Sequence, residues 1–269
     1  MSLPLSWDPC FDQRSPAFAP LEGALAALQR SHWPERHALQ ERIDRQGIVT
    51  AGGASLRLVA PASRRARDRK PYELRVFEDG AVAHRAEDWH DLFNALVWLT
   101  FPAAKAALNA RHMTEMAAQP AGRRGPVRDA LTLFDEDGML ALSSQESLLQ
   151  LVREFRWKEL FWQRRAQVQA HARFVVFGHA LYHKALTPFV GMVGRALLMP
   201  VDSGFLGRPL EEQIASLDAR LAPILSAGLR SPADLQPLPL LGIPGWFEHG
   251  EREAFYDDRE YFRPGRRAA

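Results

Sequence analysis

The stretch that decides the fold is DWHDLFNALVWLTFPAAKAALNARHMTEMAA, residues 88–118. Its apolar residues recur every three to four positions, a period that is typical of amphipathic α-helices. Pro102 divides the stretch in two, because a proline is tolerated in the first turn of a helix but not in its interior. We therefore predict one helix that runs through Thr100 and a second from Ala103 to about Ala118.

Two short β-hairpins are predicted, one before this helical pair and one after it. The first covers residues 72–86 and turns at Asp79-Gly80, and the second covers residues 131–141 and turns at Asp137-Gly138. An Asp-Gly pair between alternating segments favours a hairpin because type I′ turns need positive φ at both central residues. The predicted fold class is α+β, predominantly α-helical with small antiparallel β-hairpins.

Length and composition indicate a globular protein. The chain has 269 residues, of which 46% are hydrophobic and 25% charged, so it has enough apolar surface for a core. A single core stops growing efficiently at about 250–300 residues, and we therefore predict one domain over residues 1–269. An extended N-terminal arm, about 1–20, and a C-terminal segment rich in proline and aromatic residues, about 232–269, are expected to flank it.

Composition also disfavours several classes of protein. The single cysteine, Cys10, can form neither an internal disulfide nor a four-thiolate zinc site, which indicates a reducing compartment. The first residues, MSLPLSWDPC, lack the parts of a signal peptide, and no apolar run reaches the roughly 20 residues of a membrane span. Phosphate-binding, dinucleotide-binding and serine-nucleophile motifs are also absent from the sequence. We expect a cytoplasmic protein with no membrane segment.

Candidate functional residues occur in both predicted helices. Polar residues three or four positions apart share one face of a helix, and the start of a helix favours anions. Two polar faces on adjoining helices could together hold a metal ion or a phosphate. The first helix carries His90, Asp91 and Asn94, and the second carries Lys105, Asn109 and His112.

The first hypothesis is a divalent-metal or phosphate-binding site that acts on a phosphodiester, as in a nuclease-like hydrolase. A divalent cation would activate water and stabilise developing charge, while basic residues would position phosphates. In this hypothesis the cation is held by His90, Asp91 and Glu73, the catalytic group is His90, Asp91, Asn94 and His112, and Lys105 and Arg124 bind the phosphate-bearing ligand.

Two alternatives stay open. In the first, the chain is a non-catalytic module in which the same polar residues are structural, and the exposed arginines of residues 64–70 bind nucleic acid or a protein partner. In the second, a transferase or hydrolase uses Gly178-His-Ala-Leu-Tyr-His183, whose histidines are four residues apart. That pair lacks the glutamate of a HExxH motif, so core or surface histidines are the better interpretation. Asp135, Asp137 and Gly138 lack the ligand spacing of a calcium loop.

Five strings of the sequence are distinctive: WHDLFNALVW (89–98), FPAAK (101–105), RGPVRDALTLFD (124–135), FGHAL (177–181) and LLGIPGW (240–246). In these strings the chain resembles a bacterial family, domain of unknown function 3025. The resemblance spans about Pro4 to Arg267 and implies a cytoplasmic bacterial protein with one family-wide domain and no established activity. A second, local resemblance joins residues 94–100 and 109–112 to the helical half of HNH endonucleases, which bind one divalent cation, although Phe77-Glu-Asp-Gly80 stands where those enzymes carry their base histidine.

Overall fold

Helices account for most of the regular structure in the computed structural model, which describes residues 6–26, 28–61, 70–119 and 123–265. Within these residues the α-helices are α1 (Glu22–Leu25), α2 (Arg36–Gln46), α3 (Tyr72–Asp79), α4 (Trp89–Thr100), α5 (Pro102–Ala118), α6 (Pro126–Asp137), α7 (Glu146–Arg153), α8 (Arg165–His171), α9 (His179–Ala185) and α10 (Leu210–Pro223). The strands are β1 (Arg57–Val59), β2 (Ala81–Ala83), β3 (Gly138–Ser143), β4 (Ala172–Val176), β5 (Val193–Pro200) and β6 (Gln236–Pro239).

The chain divides into two compact units. The prediction of one domain over residues 1–269 stays a prediction. The first unit comprises Met1–Phe11, Leu21–Thr132 and Ile214–Pro232, and the second comprises Asp12–Pro20, Leu133–Gln213 and Ala233–Ala269.

The predicted helical pair, α4 and α5, lies in the first unit. Nearly every residue of α4 is buried, and its first turn is capped by Asp88, which accepts a hydrogen bond from the backbone N–H of Asp91 at 3.0 Å. Helix α5 has no side-chain cap of its own. Instead, the carboxylate of Asp218 accepts hydrogen bonds from the backbone N–H groups of Ala103 at 3.0 Å and Ala104 at 2.8 Å. A residue distant in sequence therefore satisfies donors that a helix start leaves unpaired.

The hairpin predicted at residues 72–86 is wrong. Tyr72–Asp79 is the helix α3, and the strand β2 that follows pairs in parallel with β1. Gly80 ends the helix with a φ of 65°, and its N–H donates to the carbonyl of Val76. The positive φ that the Asp-Gly pair signals is also the conformation that commonly ends a helix. The same local signal thus marks a helix end instead of a tight turn.

The hairpin predicted at residues 131–141 is also wrong. Helix α6 continues to Asp137, and β3 begins at Gly138. Strand β3 pairs with β4 in antiparallel fashion and with β5 in parallel, and both partners are distant in sequence. Gly138 is needed for close approach, because an added Cβ would lie 2.1 Å from the carbonyl oxygen of Phe134.

The second unit contains a four-stranded mixed sheet in the order β4-β3-β5-β6. Strand β3 is buried over its whole length, as expected for an inner strand. Strand β6 lies at an edge and contains Pro237 and Pro239. Just beyond it, the N–H of Leu240 donates to the carbonyl of Met192 at 3.1 Å, which continues the β5–β6 pairing.

The N-terminal and C-terminal segments bury their own aromatic side chains. In place of an extended arm, the described N-terminal residues form 3₁₀ turns at Phe11–Arg14 and Pro16–Leu21, and the side chains of Phe11 and Phe18 are fully buried. In the C-terminal segment, the hydroxyl of Tyr261 donates to the carbonyl of Met192 at 2.7 Å. The apolar side chains of these segments are costly to leave in water, which accounts for the turns that bury them.

The predicted fold class is confirmed: the described residues form an α+β protein in which helix predominates and the sheets are small. No helix in the described part of the chain combines the length and the apolarity that crossing a bilayer requires.

Candidate functional site

Asp91, a predicted metal ligand, is held by Arg85. Its Oδ2 accepts hydrogen bonds from the Arg85 backbone N–H at 2.7 Å and from Nε at 2.8 Å, and its Oδ1 accepts from Nη2 at 2.8 Å. Burial alone would raise the pKa of Asp91, but these hydrogen bonds outweigh it and hold the pKa below its ordinary value. The neighbouring His90 is half-buried in the first turn of α4. Asp91 thus forms an ion pair with Arg85, and its predicted role as a metal ligand stays a prediction.

Four of the predicted residues form two hydrogen-bonded pairs on α3, α4 and α5. Asn94 accepts a hydrogen bond from Nζ of Lys105 at 3.0 Å through its Oδ1, and Asn109 donates to both the carbonyl and the Oε2 of Glu73 at 3.0 Å. We call Glu73, Asn94, Lys105 and Asn109 the α3–α5 cluster. His112 is buried further along α5.

Burial distinguishes the α3–α5 cluster from a solvated helix face. The side chains of Asn94, Lys105, Asn109 and His112 are all buried, and Nζ of Lys105 lies 5.5 Å from the centre of the Trp98 ring. A charged lysine is rarely buried unless a partner compensates for its lost hydration, and here an amide oxygen and an aromatic face contribute. Asn94 is hydrogen-bonded to Lys105 and Asn109 to Glu73, whereas Oδ1 of Asn109 is buried with no hydrogen-bond partner among the described residues.

Arg124, predicted to bind phosphate, has other contacts. It pairs with Asp129 at 2.8 Å and donates hydrogen bonds to the carbonyl of Arg128 and the hydroxyl of Thr132. None of these residues belongs to the α3–α5 cluster. The arginines predicted to bind nucleic acid, Arg64, Arg65 and Arg67, lie outside the described residues.

A second group lies in the other unit, where α6 ends and α9 begins. His179 is the first residue of α9, and its side chain is 5% exposed. Its Nε2 lies 3.6 Å from Oε2 of Glu136, and its Nδ1 lies 3.9 Å from Oδ2 of Asp135. We call Asp135, Glu136 and His179 the acidic–histidine group. A buried imidazole thus faces one carboxylate with each ring nitrogen.

Gly178 allows this close approach of two segments. Its backbone N–H donates to the carbonyl of Gly138 at 2.8 Å, and an added Cβ would lie 2.3 Å from the carbonyl oxygen of Glu136. Beyond His179, Lys184 pairs with Asp137 at 2.5 Å. His183, which shares the predicted histidine pair, is exposed. The two histidines of that pair therefore have different environments.

Sequence reasoning missed Glu136. The residue lies 43 positions before His179, and only the pairing of β3 with β4 brings their segments together. The run Asp135-Glu-Asp137 at the end of a helix was the available signal, because carboxylates at a helix C-terminus are electrostatically unfavourable and need a compensating cation.

Both the α3–α5 cluster and the acidic–histidine group lie within the part of the chain that matches a known protein family. The sequence profile of a protein family of unknown function, DUF3025, matches residues 56–266. The chain belongs to this family. The DUF3025 match includes the whole α3–α5 cluster and the whole acidic–histidine group, and it confirms the family resemblance of the long strings. No curated protein and no solved structure matches the chain. The local resemblance to HNH endonucleases has no support from these comparisons.

We predict that His84 makes the stability of this DUF3025 chain decrease at acidic pH. The side chain is 3% exposed, and neither ring nitrogen has a hydrogen-bond partner among the described residues. Burial is the main cause that lowers the pKa of His84, and Asp91 opposes it. The folded protein therefore holds His84 neutral at a pH where the unfolded chain protonates it.

We expect the free energy of unfolding to fall as the pH drops below about 6.5, by up to about 1.4 kcal/mol per pH unit for this one group. Above that pH the contribution of His84 is constant. Asp91, whose pKa is lowered, adds a further loss at more acidic pH, below about 4. Urea unfolding at pH 5, 6, 7 and 8 measures the slope. His84→Leu should flatten it between pH 5 and 7, and an unchanged slope in that variant would disprove the assignment.

Proposed function

We propose that this DUF3025 chain is a divalent-cation-dependent hydrolase whose cation is held by His179 and Glu136. The observation that carries the proposal is the buried imidazole of His179 beside two carboxylates. A neutral imidazole nitrogen and carboxylate oxygens are common ligands of zinc and other first-row divalent ions.

The spacing of the two ligand atoms supports the proposal. Nε2 of His179 and Oε2 of Glu136 are 3.6 Å apart, which is longer than a hydrogen bond. Two ligands at about 2.1 Å from a tetrahedral ion stand about 3.4 Å apart, close to this separation. The atoms would thus need to move little to share one cation.

Asp135 would orient the imidazole. Its Oδ2 lies 3.9 Å from Nδ1 of His179, the nitrogen opposite the one that faces Glu136. Histidines that bind metals commonly donate their second N–H to a carboxylate, which fixes the ring and increases the basicity of the binding nitrogen. A small approach of Asp135 would complete this arrangement. Its carboxylate would also help to balance the charge of the cation.

The chemistry that we propose is hydrolysis of a phosphodiester. When bound, a divalent cation supplies an activated water and stabilises negative charge on phosphoryl oxygens. The chain contains 34 lysine and arginine residues against 32 aspartate and glutamate residues, a balance that permits a nucleic acid or another phosphate-bearing ligand. We place the protein in the cytoplasm, where its exposed Cys10 remains a free thiol.

A second candidate function is favoured by the hydrogen bonds of the first unit. Asp91 is paired with Arg85, Asn94 with Lys105, and Asn109 with Glu73. These partners support a structural role for the predicted catalytic residues, as in a non-catalytic module that binds nucleic acid or a protein.

Cation binding separates the two functions. After treatment with a chelator, we expect Zn²⁺ or Mn²⁺ to raise the melting temperature, because an ion that binds only the folded state stabilises it. At one hundred times the dissociation constant the gain is about 2.7 kcal/mol, or roughly 5 °C or more for a chain of this size. Glu136→Gln and His179→Ala should each remove most of the shift. Differential scanning fluorimetry measures it.

His183→Ala is the matched control, because it removes an exposed histidine from the same helix. This variant should keep the full shift. Glu136→Gln guards against misfolding, since it preserves size and replaces a side chain that is 40% exposed. The proposal fails if no divalent ion changes the melting temperature, or if Glu136→Gln keeps the shift. A shift that Glu73→Gln removes would instead favour the α3–α5 cluster as the metal site.

A further inference from the structure

A cavity of about 270 Å³ opens in the second unit, separate from the residues of the acidic–histidine group. Its walls are mostly apolar and include Val168, Phe174, Ile243 and Trp246. Small-molecule sites in proteins start at roughly 300 Å³ and are lined mainly by apolar and aromatic side chains. The cavity therefore suits a small apolar group.

The walls of this cavity are fixed by contacts between distant segments. The hydroxyl of Ser15 donates to the carbonyl of Trp246 at 2.8 Å, and this bond is buried. The rings of Phe174 and Trp246 meet edge to face with centres 6.3 Å apart. Because these walls are already ordered, binding a ligand costs less of the conformational entropy of the protein side chains.

Arg173 gives the cavity its only described cationic side chain. The residue lies on β4, lines the cavity and is half-buried. Among the described residues, no carboxylate forms an ion pair with Arg173 and no acceptor takes a hydrogen bond from its guanidinium. A guanidinium that loses part of its hydration without a carboxylate beside it can gain hydrogen bonds from an anionic ligand. Arg173 therefore offers such a ligand a cationic group that has no partner among the described residues.

We propose that this cavity binds a small monocarboxylate with an apolar tail. The tail would lie against Phe174 and Trp246, and the carboxylate would accept two hydrogen bonds from the planar guanidinium of Arg173. One cation matches one negative charge, whereas a phosphate monoester would bring close to two charges into an apolar site. The proposal is independent of the cation-dependent hydrolase.

Octanoate and octan-1-ol are suitable probes, because they share the tail and differ in charge. We expect isothermal titration calorimetry to give a dissociation constant about tenfold or more lower for octanoate than for octan-1-ol. Arg173→Met should weaken octanoate to the level of octan-1-ol and leave octan-1-ol unchanged. Arg173→Lys keeps the charge but not the forked geometry, and should fall between the two.

Ala19→Phe tests the cavity itself, because Ala19 lines it and a phenyl ring would fill part of it. This variant should lose both probes, while its melting temperature reports whether it still folds. Octyl phosphate, tested in parallel, should bind more weakly than octanoate. Equal binding of octanoate and octan-1-ol, octanoate binding that survives Arg173→Met, tighter binding of octyl phosphate, or no binding of octanoate would each overturn the proposal.

Discussion

Gly178→Ala is expected to lower the free energy of unfolding by about 3 kcal/mol, a large part of the total stability of an average domain. An added Cβ would lie 2.3 Å from the carbonyl oxygen of Glu136 and 2.4 Å from the backbone nitrogen of Gly138. Both are main-chain atoms, which cannot swing away as a flexible side chain can. With φ of −66° and ψ of 122°, position 178 itself suits alanine, so the cost is steric.

Gly207→Ala is the matched control. Gly207 is exposed, and an added Cβ there would meet nothing within 4 Å. We expect its unfolding midpoint in urea to stay within the error of the wild type. Because Gly178 directly precedes His179, the alanine variant should also lose cation-dependent stabilisation under conditions in which it remains folded. A Gly178→Ala protein as stable as Gly207→Ala would show that the close approach of α6 and α9 is wrong.

Asp218→Ala is expected to cost about 2 kcal/mol of stability. The carboxylate satisfies two N–H groups in the first turn of α5, the partly exposed one of Ala103 and the buried one of Ala104, and the truncated side chain would leave both donors without it. Burial raises the pKa of Asp218, although the two N–H groups oppose this shift. The cost should therefore reflect lost hydrogen bonds more than lost charge.

Two variants resolve the origin of this cost. Asp218→Asn retains one acceptor oxygen and should lose about half as much stability as Asp218→Ala. Glu212→Ala removes an exposed acid from the same helix and should have little effect. Urea unfolding followed by circular dichroism measures all three. If Asp218→Ala resembles Glu212→Ala, the carboxylate does not cap α5.

Local patterns predicted α4 and α5 because a helix is built from neighbours in sequence. The apolar period from Trp89 to Thr100, and Pro102 in the first turn of the next helix, carry the necessary information within a few residues. The capping of α5 by Asp218 could not be predicted in this way. It depends on a contact between residues more than a hundred positions apart.

The failed hairpins show the limit of the same reasoning. Gly80 adopts the positive φ that the Asp-Gly pair indicated, but that conformation serves a helix end as well as a turn. Strand β3 pairs with β4 and β5, which are distant in sequence, and the residues around β3 carry no signal that predicts these partners. For the same reason the sequence indicated His179 as a candidate but not its neighbour Glu136.

The two prolines of β6 hinder the addition of a further strand to the sheet at this edge. The N–H of Leu240 points toward β5. Successive residues of an antiparallel strand point their N–H groups alternately toward and away from the paired strand, so the backbone nitrogens of Pro237 and Pro239 point away from β5. A proline has no N–H to offer, and these positions would otherwise present donors to an incoming strand. Strand addition at this edge, whether from a second copy, a misfolded chain or a peptide, would thus lack half of its usual hydrogen bonds. Strand β6 therefore ends the sheet.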